Sequence, residues 1–328
     1  MRKGFLKLVL TMVRPPAALV LMLFAALGAA QAGVTESFHP VFTTVLVIIA
    51  AGFTNATCLN DITDESIDKV NLAQATGRPL VSGTASPNQL LAVAALAGAV
   101  SLGLAWAVGW QVGVVVTVGL LLNAAYSIPP VRLAERGGVA TALLPLGYVV
   151  VPYLVAAFSV GPTLSRRGLL LLAGLYLCFA GRIILKDFRD VEGDAKFGKN
   201  TFLLRHGARA TCLASAILWL AGAAVLPFLV PARSPVLPAF ALLLGSVLYG
   251  LRRLASTIDR SEQITTIGCI AMVGRGMTVI LLAHFSIVEK GWPYEAQVFF
   301  IMALAASIGG MFFATLSERT EVATAKSG

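Results

Sequence analysis

The stretch PVFTTVLVIIAAGFTNATCLNDITDESIDKVN, residues 40–71, decides the fold class. Between Pro40 and Asn60 it carries no charged side chain, and about 20 apolar residues in helical conformation cross the hydrocarbon core of a bilayer. Acidic residues then follow in quick succession: Asp61, Asp64, Glu65 and Asp68. The pattern predicts a membrane-spanning helix that ends in a cluster of carboxylates.

The rest of the chain has the composition of a membrane protein. Of its 328 residues, 57% are hydrophobic and 12% are charged, whereas soluble domains carry about 25% charged residues. The same balance excludes an intrinsically disordered chain, and the short alternating strands of a membrane β-barrel are missing from the sequence. We therefore predict an all-α, polytopic bundle with about ten spans, near residues 15–33, 40–59, 88–109, 111–128, 138–160, 167–185, 209–231, 235–251, 265–287 and 296–316.

The basic residues set the predicted orientation. If the N-terminus lies inside, the outer loops receive only a few of the 25 Lys and Arg residues, namely Arg166, Arg167, Arg233 and Lys290. By the positive-inside rule, this predicts a multi-pass protein of the cell membrane whose two termini and acidic clusters face the cytoplasm. The net charge of +9 is spread over loops between spans, which fits an anionic lipid surface and argues against a nucleic-acid partner.

Half of the 16 acidic residues lie in two short stretches. The second cluster lies in GRIILKDFRDVEGDAKFGKNTF, residues 181–202, and contains Asp187, Asp190, Glu192 and Asp194. In the first cluster Asn60, Asp64 and Asp68 follow each other at four-residue steps, so on a helix they share one face. Ionised carboxylates repel one another and are costly near hydrocarbon. Oxygen donors without nearby His or Cys suit Mg²⁺, which commonly bridges carboxylates to substrate phosphates.

Basic side chains accompany both clusters. Arg14, Arg78, Arg132 and Lys186 stand close to the acidic stretches or at the same ends of spans. Carboxylates, metal ions and cations together fit a diphosphate substrate, whose oxygens take both metal and guanidinium contacts. Each of four further cations is interpreted as a topology charge: Lys196, Lys199, Arg205 and Arg209.

These stretches resemble the signatures of the UbiA-type intramembrane prenyltransferases. The family pattern N-D-x-x-D-x-x-x-D is matched at residues 60–68, and D-x-x-D-x-x-x-D at residues 187–194. GRPLVSG at 77–83 is similar to the family's R-P-L-x-S-G stretch, and residues 126–132 to its Y-S-x-x-P-x-R/K segment. The form of the second motif resembles the chlorophyll synthase, homogentisate prenyltransferase and digeranylgeranylglyceryl phosphate synthase branch. The motifs lie within about residues 10–210, and residues 211–328 match only in being apolar.

The resemblance implies one domain over residues 1–328, with nine helices around a central cavity and a cytoplasmic polar cap, against about ten spans in our count. It implies two Mg²⁺ ions held by Asn60, Asp61, Asp64, Asp68, Asp187, Asp190 and Asp194. The carboxylates assigned to catalysis are Asp64, Asp68, Asp190 and Asp194. The side chains assigned to the diphosphate are Arg14, Arg78, Tyr126, Arg132 and Lys186.

The implied reaction is Mg²⁺-dependent transfer of a prenyl group from an allylic diphosphate to a lipophilic or aromatic acceptor within membrane lipid. A UbiA-type terpene cyclase, which needs no external acceptor, is an alternative. An ion-coupled transporter is a more remote one, because its acids would lie near mid-membrane rather than at span ends on one side. Acceptor, donor length and oligomeric state stay open. Arg275, alone inside a span, either lines the cavity or pairs with a backbone carbonyl.

Overall fold

The computed structural model describes the backbone of residues 2–34, 40–71 and 77–327, and the side chains of residues 5–34, 41–71 and 77–317. Throughout these ranges the regular structure is helical, without a β-strand. The α-helices, numbered α1 to α14 in chain order, are Arg2–Val13, Pro15–Gln31, Pro40–Thr63, Glu65–Asn71, Pro87–Val108, Trp110–Ser127, Gly138–Pro145, Val151–Val160, Arg166–Ile183, Lys186–Lys196, Phe202–Ala223, Val236–Ser256, Arg260–Glu289 and Tyr294–Ser327.

The prediction of an all-α, polytopic fold is confirmed. Within the described ranges, eight helices are long and apolar enough to cross a membrane, and two bent helix pairs raise the number to as many as ten. Each of the ten predicted spans falls on one of these segments, with limits that differ by a few residues. The larger differences are at α11, which begins seven residues before the predicted start at residue 209 and ends eight before the predicted end at 231, and at α14, which continues 11 residues past the predicted end at 316.

One of the bent pairs, α1 and α2, has a clear local cause. Arg14 separates the two helices in a left-handed conformation (φ 48°, ψ 69°), and Pro15 and Pro16 begin α2. Proline suits the first turn of a helix because its missing N–H would have no partner there, but it cannot continue the helix before it. The bend of 53° therefore places Arg14 at a helix junction instead of on a helix face.

The first of two compact units contains residues 1–165 and 190–201. In this unit α2 packs along α8 and α3 packs along α5. The Ser101 hydroxyl of α5 donates to the Ile48 carbonyl of α3 at 2.8 Å, and this hydrogen bond is buried. Polar side chains that bond across helices help to align apolar helices in a membrane. The packing fixes the end of α3, where the first acidic cluster begins.

The second compact unit contains residues 166–189 and 202–328. Here α9 packs along α11, while α12, α13 and α14 pack against one another. A Cβ at Gly174 of α9 would lie 3.0 Å from the Gly222 carbonyl oxygen, and one at Gly222 would lie 2.7 Å from that of Gly174. Small residues at such crossings allow membrane helices to approach closely. The buried Ser215 hydroxyl of α11 also donates to the Gly181 carbonyl at 2.6 Å.

Candidate active site

The first acidic motif occupies the junction between α3 and α4. Backbone hydrogen bonds from Asp64 to Asn60 (2.9 Å) and from Asp68 to Asp64 (2.8 Å) continue the four-residue helical step through this junction. The side chains of Asn60, Asp64 and Asp68 therefore project from one face, as the spacing predicts. The Asn60 amide Nδ2 donates to Asp64 Oδ2 at 3.0 Å and fixes the orientation of this carboxylate.

Two arginines converge on Asp61, whose side chain is only 3% exposed. Arg14 Nη2 lies 2.6 Å from Asp61 Oδ1 and 2.5 Å from Oδ2, and Arg78 also pairs with Oδ1. The same Arg78 nitrogen lies 2.9 Å from Asp68 Oδ2. A buried carboxylate is stable only when its charge is paired and hydrogen-bonded. Asp61 thus holds Arg14 and Arg78 beside the acidic face.

A third arginine reaches the same face from the loop after α6. Arg132 Nη2 donates to Asp64 Oδ1 at 2.9 Å and to the Thr63 carbonyl at 3.1 Å. Among the residues with described backbone, Arg14 and Arg132 are the two non-glycine residues with positive φ, at 48° and 33°. Residues in sparsely populated backbone regions cluster at functional sites, where the surrounding contacts hold them. Both strained arginines donate to carboxylates of the first motif.

Residues 190–199, which include Asp190 and Asp194 of the second acidic motif, lie in the same compact unit as the first motif. Lys199 Nζ lies 3.5 Å from Asp64 Oδ1 and 3.6 Å from Asp194 Oδ1, so it bridges the two motifs. The Gly193 N–H donates to the Asn71 side-chain oxygen at 2.7 Å and joins α10 to α4. A Cβ at Gly193 would lie 2.6 Å from Asn71 Nδ2, so a larger residue here would force the Asn71 side chain to move.

The pKa of the Asp68 carboxyl group is raised from 3.8 to about 6. Burial of the carboxyl group is the main cause, because a charged group is poorly solvated there. The Arg78 guanidinium opposes the increase, while the carboxylates of Asp61, Asp64 and Asp190 add to it. Asp190 of the second motif is therefore close enough to act electrostatically on Asp68.

The model of the UbiA prenyltransferase family matches residues 18–267, which is most of the chain. The chain belongs to the UbiA prenyltransferase family. It is a multi-pass membrane protein, and the match continues past the motif-bearing part into α11, α12 and the beginning of α13.

Curated relatives of this UbiA-family protein include enzymes with different acceptors. The chain is 35% identical to the homogentisate phytyltransferase of Synechocystis over 156 residues, which cover 45% of this chain and 49% of that protein. It is 32% identical to the digeranylgeranylglyceryl phosphate synthase of Methanopyrus kandleri over 257 residues, which cover 73% of this chain and 87% of that protein. The chain spans about half the length of several other curated relatives that it matches.

Solved structures show the same fold. A digeranylgeranylglyceryl phosphate synthase structure gives a TM-score of 0.65 at 17% identity, covering 86% of this chain and 99% of that one. A UbiA homolog from Archaeoglobus fulgidus bound to GPP and Mg²⁺ gives 0.59 at 16% identity, covering 94% and 99%. At these identities the similarity is one of fold.

Three predicted site residues of the UbiA-family protein have a different setting. Lys186 and Asp187 begin α10 and belong to the second compact unit, where Asp187 is buried. In that unit Arg260 of α13 donates to the carbonyls of Phe188 and Arg189, which follow Asp187 directly. Tyr126 is half-buried in the last turn of α6. Their assigned roles in binding metal or diphosphate stay predictions.

Lys199 is the functional candidate that the sequence interpretation missed. Its side chain is 9% exposed, whereas a lysine that only marks topology would project into solvent. A signal was present, because Lys199 follows Asp194 by five residues in a turn that Gly198 opens with φ 71°. The left-handed turn at Gly198 reverses the chain, so the side chain of Lys199 points back toward Asp64 and Asp194.

The donor chemistry of these motifs fits Mg²⁺. Asn60, Asp64, Asp68, Asp190 and Asp194 provide only oxygen ligands of the kind that magnesium prefers. In the described part of the chain no three acidic, His or Cys side chains converge as a complete metal cage. Magnesium usually binds through one or two carboxylates and retains waters and substrate oxygens, so a complete protein cage is not required. Burial raises the pKa of Asp68, and a cation bound beside its carboxyl group would favour the ionised form.

Proposed function

We propose that this protein transfers a prenyl group from an allylic prenyl diphosphate to a lipophilic or aromatic acceptor in the membrane, with Mg²⁺ as cofactor. One observation carries the proposal: in one unit Lys199 bridges Asp64 of the first motif and Asp194 of the second, and three arginines pair with the first motif: Arg14, Arg78 and Arg132. Several acids beside several cations form a site for an anion that arrives with a metal. Structures of a UbiA homolog from Archaeoglobus fulgidus bound to DMAPP or GPP and Mg²⁺ support this choice.

The arginines would bind the diphosphate. Arg14 and Arg78 are held by Asp61, and Arg132 by Asp64 and the Thr63 carbonyl, so all three guanidiniums are positioned before substrate arrives. Donors that are fixed in advance stabilise developing charge without reorganisation. The predicted roles of Tyr126 and Lys186 at the diphosphate belong to the same proposal. Because both oxygens of Asp61 already accept from arginine, we give Asp61 the role of positioning these two side chains.

The remaining motif residues would hold the metal. We propose that Asn60, Asp64 and Asp68 bind one Mg²⁺ and that Asp190 and Asp194 bind a second, while a metal role for Asp187 stays a prediction. Bound magnesium would supply charge neutralisation at the diphosphate. The carboxylates must give up part of their pairing with Arg and Lys for this purpose, so the arginines become available to the diphosphate oxygens.

The proposed reaction breaks the bond between the allylic carbon and the bridging oxygen, and the electron pair leaves with the diphosphate. A nucleophilic atom of the acceptor forms the new bond to that carbon and loses its proton. The arginines stabilise the leaving group through charge-assisted hydrogen bonds. The apolar spans beside the site keep bulk water from competing with the acceptor.

We infer from the distribution of basic residues that the acidic motifs face the cytoplasm, where a water-soluble diphosphate head group would enter. Its isoprenoid tail would remain among the helices and membrane lipid. We also propose that residues 1–328 act as one catalytic domain, since the family match crosses both compact units.

The test uses purified protein in lipid nanodiscs with Mg²⁺ and a panel of allylic prenyl diphosphates, with and without candidate acceptors. Asp64→Asn and Asp190→Asn should lower diphosphate release by about 100-fold or more, the scale expected when one charge-stabilising group is removed. Glu295→Gln, an exposed carboxyl-to-amide control at the start of α14, should leave the rate unchanged.

The acceptor dependence separates the candidate reactions. Diphosphate release that requires an acceptor supports prenyl transfer, while acceptor-free release with a cyclic hydrocarbon or alcohol product identifies a cyclase. Wild-type turnover by both aspartate variants would refute the proposed site.

A further inference from the structure

Lys199 differs from the other cations at the site in its partners. Arg14 and Arg78 pair with the first motif, and Arg132 pairs with Asp64 and with Glu135 of its own loop. Lys199 alone among the described ion pairs joins the first motif to the second, through Asp64 and Asp194. Its side chain and both carboxylates are largely buried, with exposures of 9%, 13% and 8%. Ion pairs at this depth are screened far less than pairs on a solvated surface.

The geometry of this bridge is loose. The ammonium lies 3.5 and 3.6 Å from its two carboxylate oxygens, beyond the usual length of a charge-assisted hydrogen bond. By contrast, Arg14 approaches Asp61 to 2.5 Å. A lysine carries a compact charge on a flexible four-carbon chain, whereas the arginine fork is rigid. Lys199 therefore neutralises two carboxylates and yet can leave them at little cost in direct hydrogen bonds.

We propose that Lys199 is an internal counterion for the metal site, which the incoming divalent cation displaces from Asp64 and Asp194. The inference rests on the proposed Mg²⁺-dependent function. A dication and the ammonium compete for the same two carboxylates, so Lys199 lowers the affinity for Mg²⁺. Once displaced, the ammonium is free to meet the negative charge of the diphosphate. Lys199 is in this sense a positioning residue that links metal binding to substrate binding.

The first experiment measures Mg²⁺ binding by isothermal titration calorimetry in nanodiscs, without diphosphate. Lys199→Met should tighten binding on the order of tenfold, because a positive charge close to both ligands is removed. Lys196→Met is the matched control: it removes the same charge from an exposed side chain at the end of α10, three residues before Lys199, and should change affinity much less. Lys199→Arg retains the charge and should bind Mg²⁺ as the wild type does.

A purely structural role makes the opposite prediction. If Lys199 only held the two motifs together, Lys199→Met would separate the carboxylates and weaken Mg²⁺ binding. Equal or weaker binding by a folded Lys199→Met variant would therefore overturn the inference.

The second experiment uses the wild-type chain and does not depend on a variant that folds. An amine-reactive acetylating reagent is applied across a Mg²⁺ titration, and modification of Lys199 and Lys196 is quantified by mass spectrometry. Modification of Lys199 should rise severalfold as Mg²⁺ saturates, while that of Lys196 stays constant. A Lys199 rate that is unchanged or falls overturns the inference.

The two proposals fail in different ways. If the wild type binds no Mg²⁺ under any condition, the metal-dependent function fails together with the role of Lys199. If the wild type binds Mg²⁺ and Asp64→Asn abolishes binding, while Lys199→Met and Lys196→Met match the wild type, only the counterion inference fails.

Discussion

Gly193→Ala tests whether the contact between α4 and α10 brings the two motifs together. The added Cβ would lie 2.6 Å from Asn71 Nδ2 and 2.7 Å from its Cγ and Oδ1. A Cβ does not come this close to non-bonded heavy atoms in proteins. The Asn71 amide must therefore move and lose the 2.7 Å hydrogen bond that it accepts from the Gly193 N–H.

The expected cost follows from three contributions. Overpacking of a well-packed contact costs about 1–3 kcal/mol, and loss of one hydrogen bond costs about 0.5–1.5 kcal/mol. The higher helix propensity of alanine returns up to about 1 kcal/mol. Together they predict a destabilisation of about 0.5–4.5 kcal/mol, which lowers the midpoint of thermal unfolding by roughly one to several degrees. Separation of the motifs should also weaken Mg²⁺ binding.

The assay compares thermal unfolding by circular dichroism with Mg²⁺ affinity in the same detergent. Gly103→Ala is the control, because Gly103 also lies in a helix of the first unit and its added Cβ meets nothing within 4 Å. Asn71→Ala removes the obstructing amide, so the Gly193→Ala change should cost less in that background. If Gly193→Ala unfolds at the wild-type temperature with unchanged Mg²⁺ affinity, the contact does not hold the motifs together.

Two further predictions concern the ionised groups. Because the pKa of Asp68 is raised to about 6, its carboxyl group is protonated below that pH and ionised above it. Mg²⁺ affinity should therefore fall as the pH is lowered through about 6. Calorimetry of the Asp68→Asn variant should show a weaker dependence of Mg²⁺ affinity on pH. Arg78→Gln removes one of the two cations of buried Asp61 and should destabilise the protein by about 3 kcal/mol, the lower end for a broken buried pair since Arg14 remains. Exposed Arg136→Gln should stay within about 0.5 kcal/mol in the same unfolding assay.

The sequence predicted the helices well because each span must be long and apolar. Segments such as Pro87–Val108 and Trp110–Ser127 match the predicted spans to within one residue at each end. The bilayer thickness sets the length, and charged or turn-forming residues mark the ends. The single face formed by Asn60, Asp64 and Asp68 was likewise predictable, since helical periodicity determines it without tertiary information.

The pairing of the charges was not predictable in the same way. Asp61 was assigned to metal by its place in the motif, but its partners Arg14 and Arg78 are 47 and 17 positions away. Their convergence depends on how α3 packs beside the bend before α2 and the turn after α4. Lys199 was missed for a similar reason: the glycine before it indicates a turn, but whether that turn places the lysine in water or beside carboxylates depends on tertiary packing.

The left-handed backbone at Arg14 and Arg132 has a consequence for protein engineering. Each such residue costs on the order of 1–2 kcal/mol, which glycine would recover. A search for thermostable variants that scores folding alone would therefore select glycine at these two positions. The resulting protein would be more stable to heat but would lack two of the guanidiniums beside the aspartates. Thermal stability would therefore be gained at the expense of turnover at these two residues.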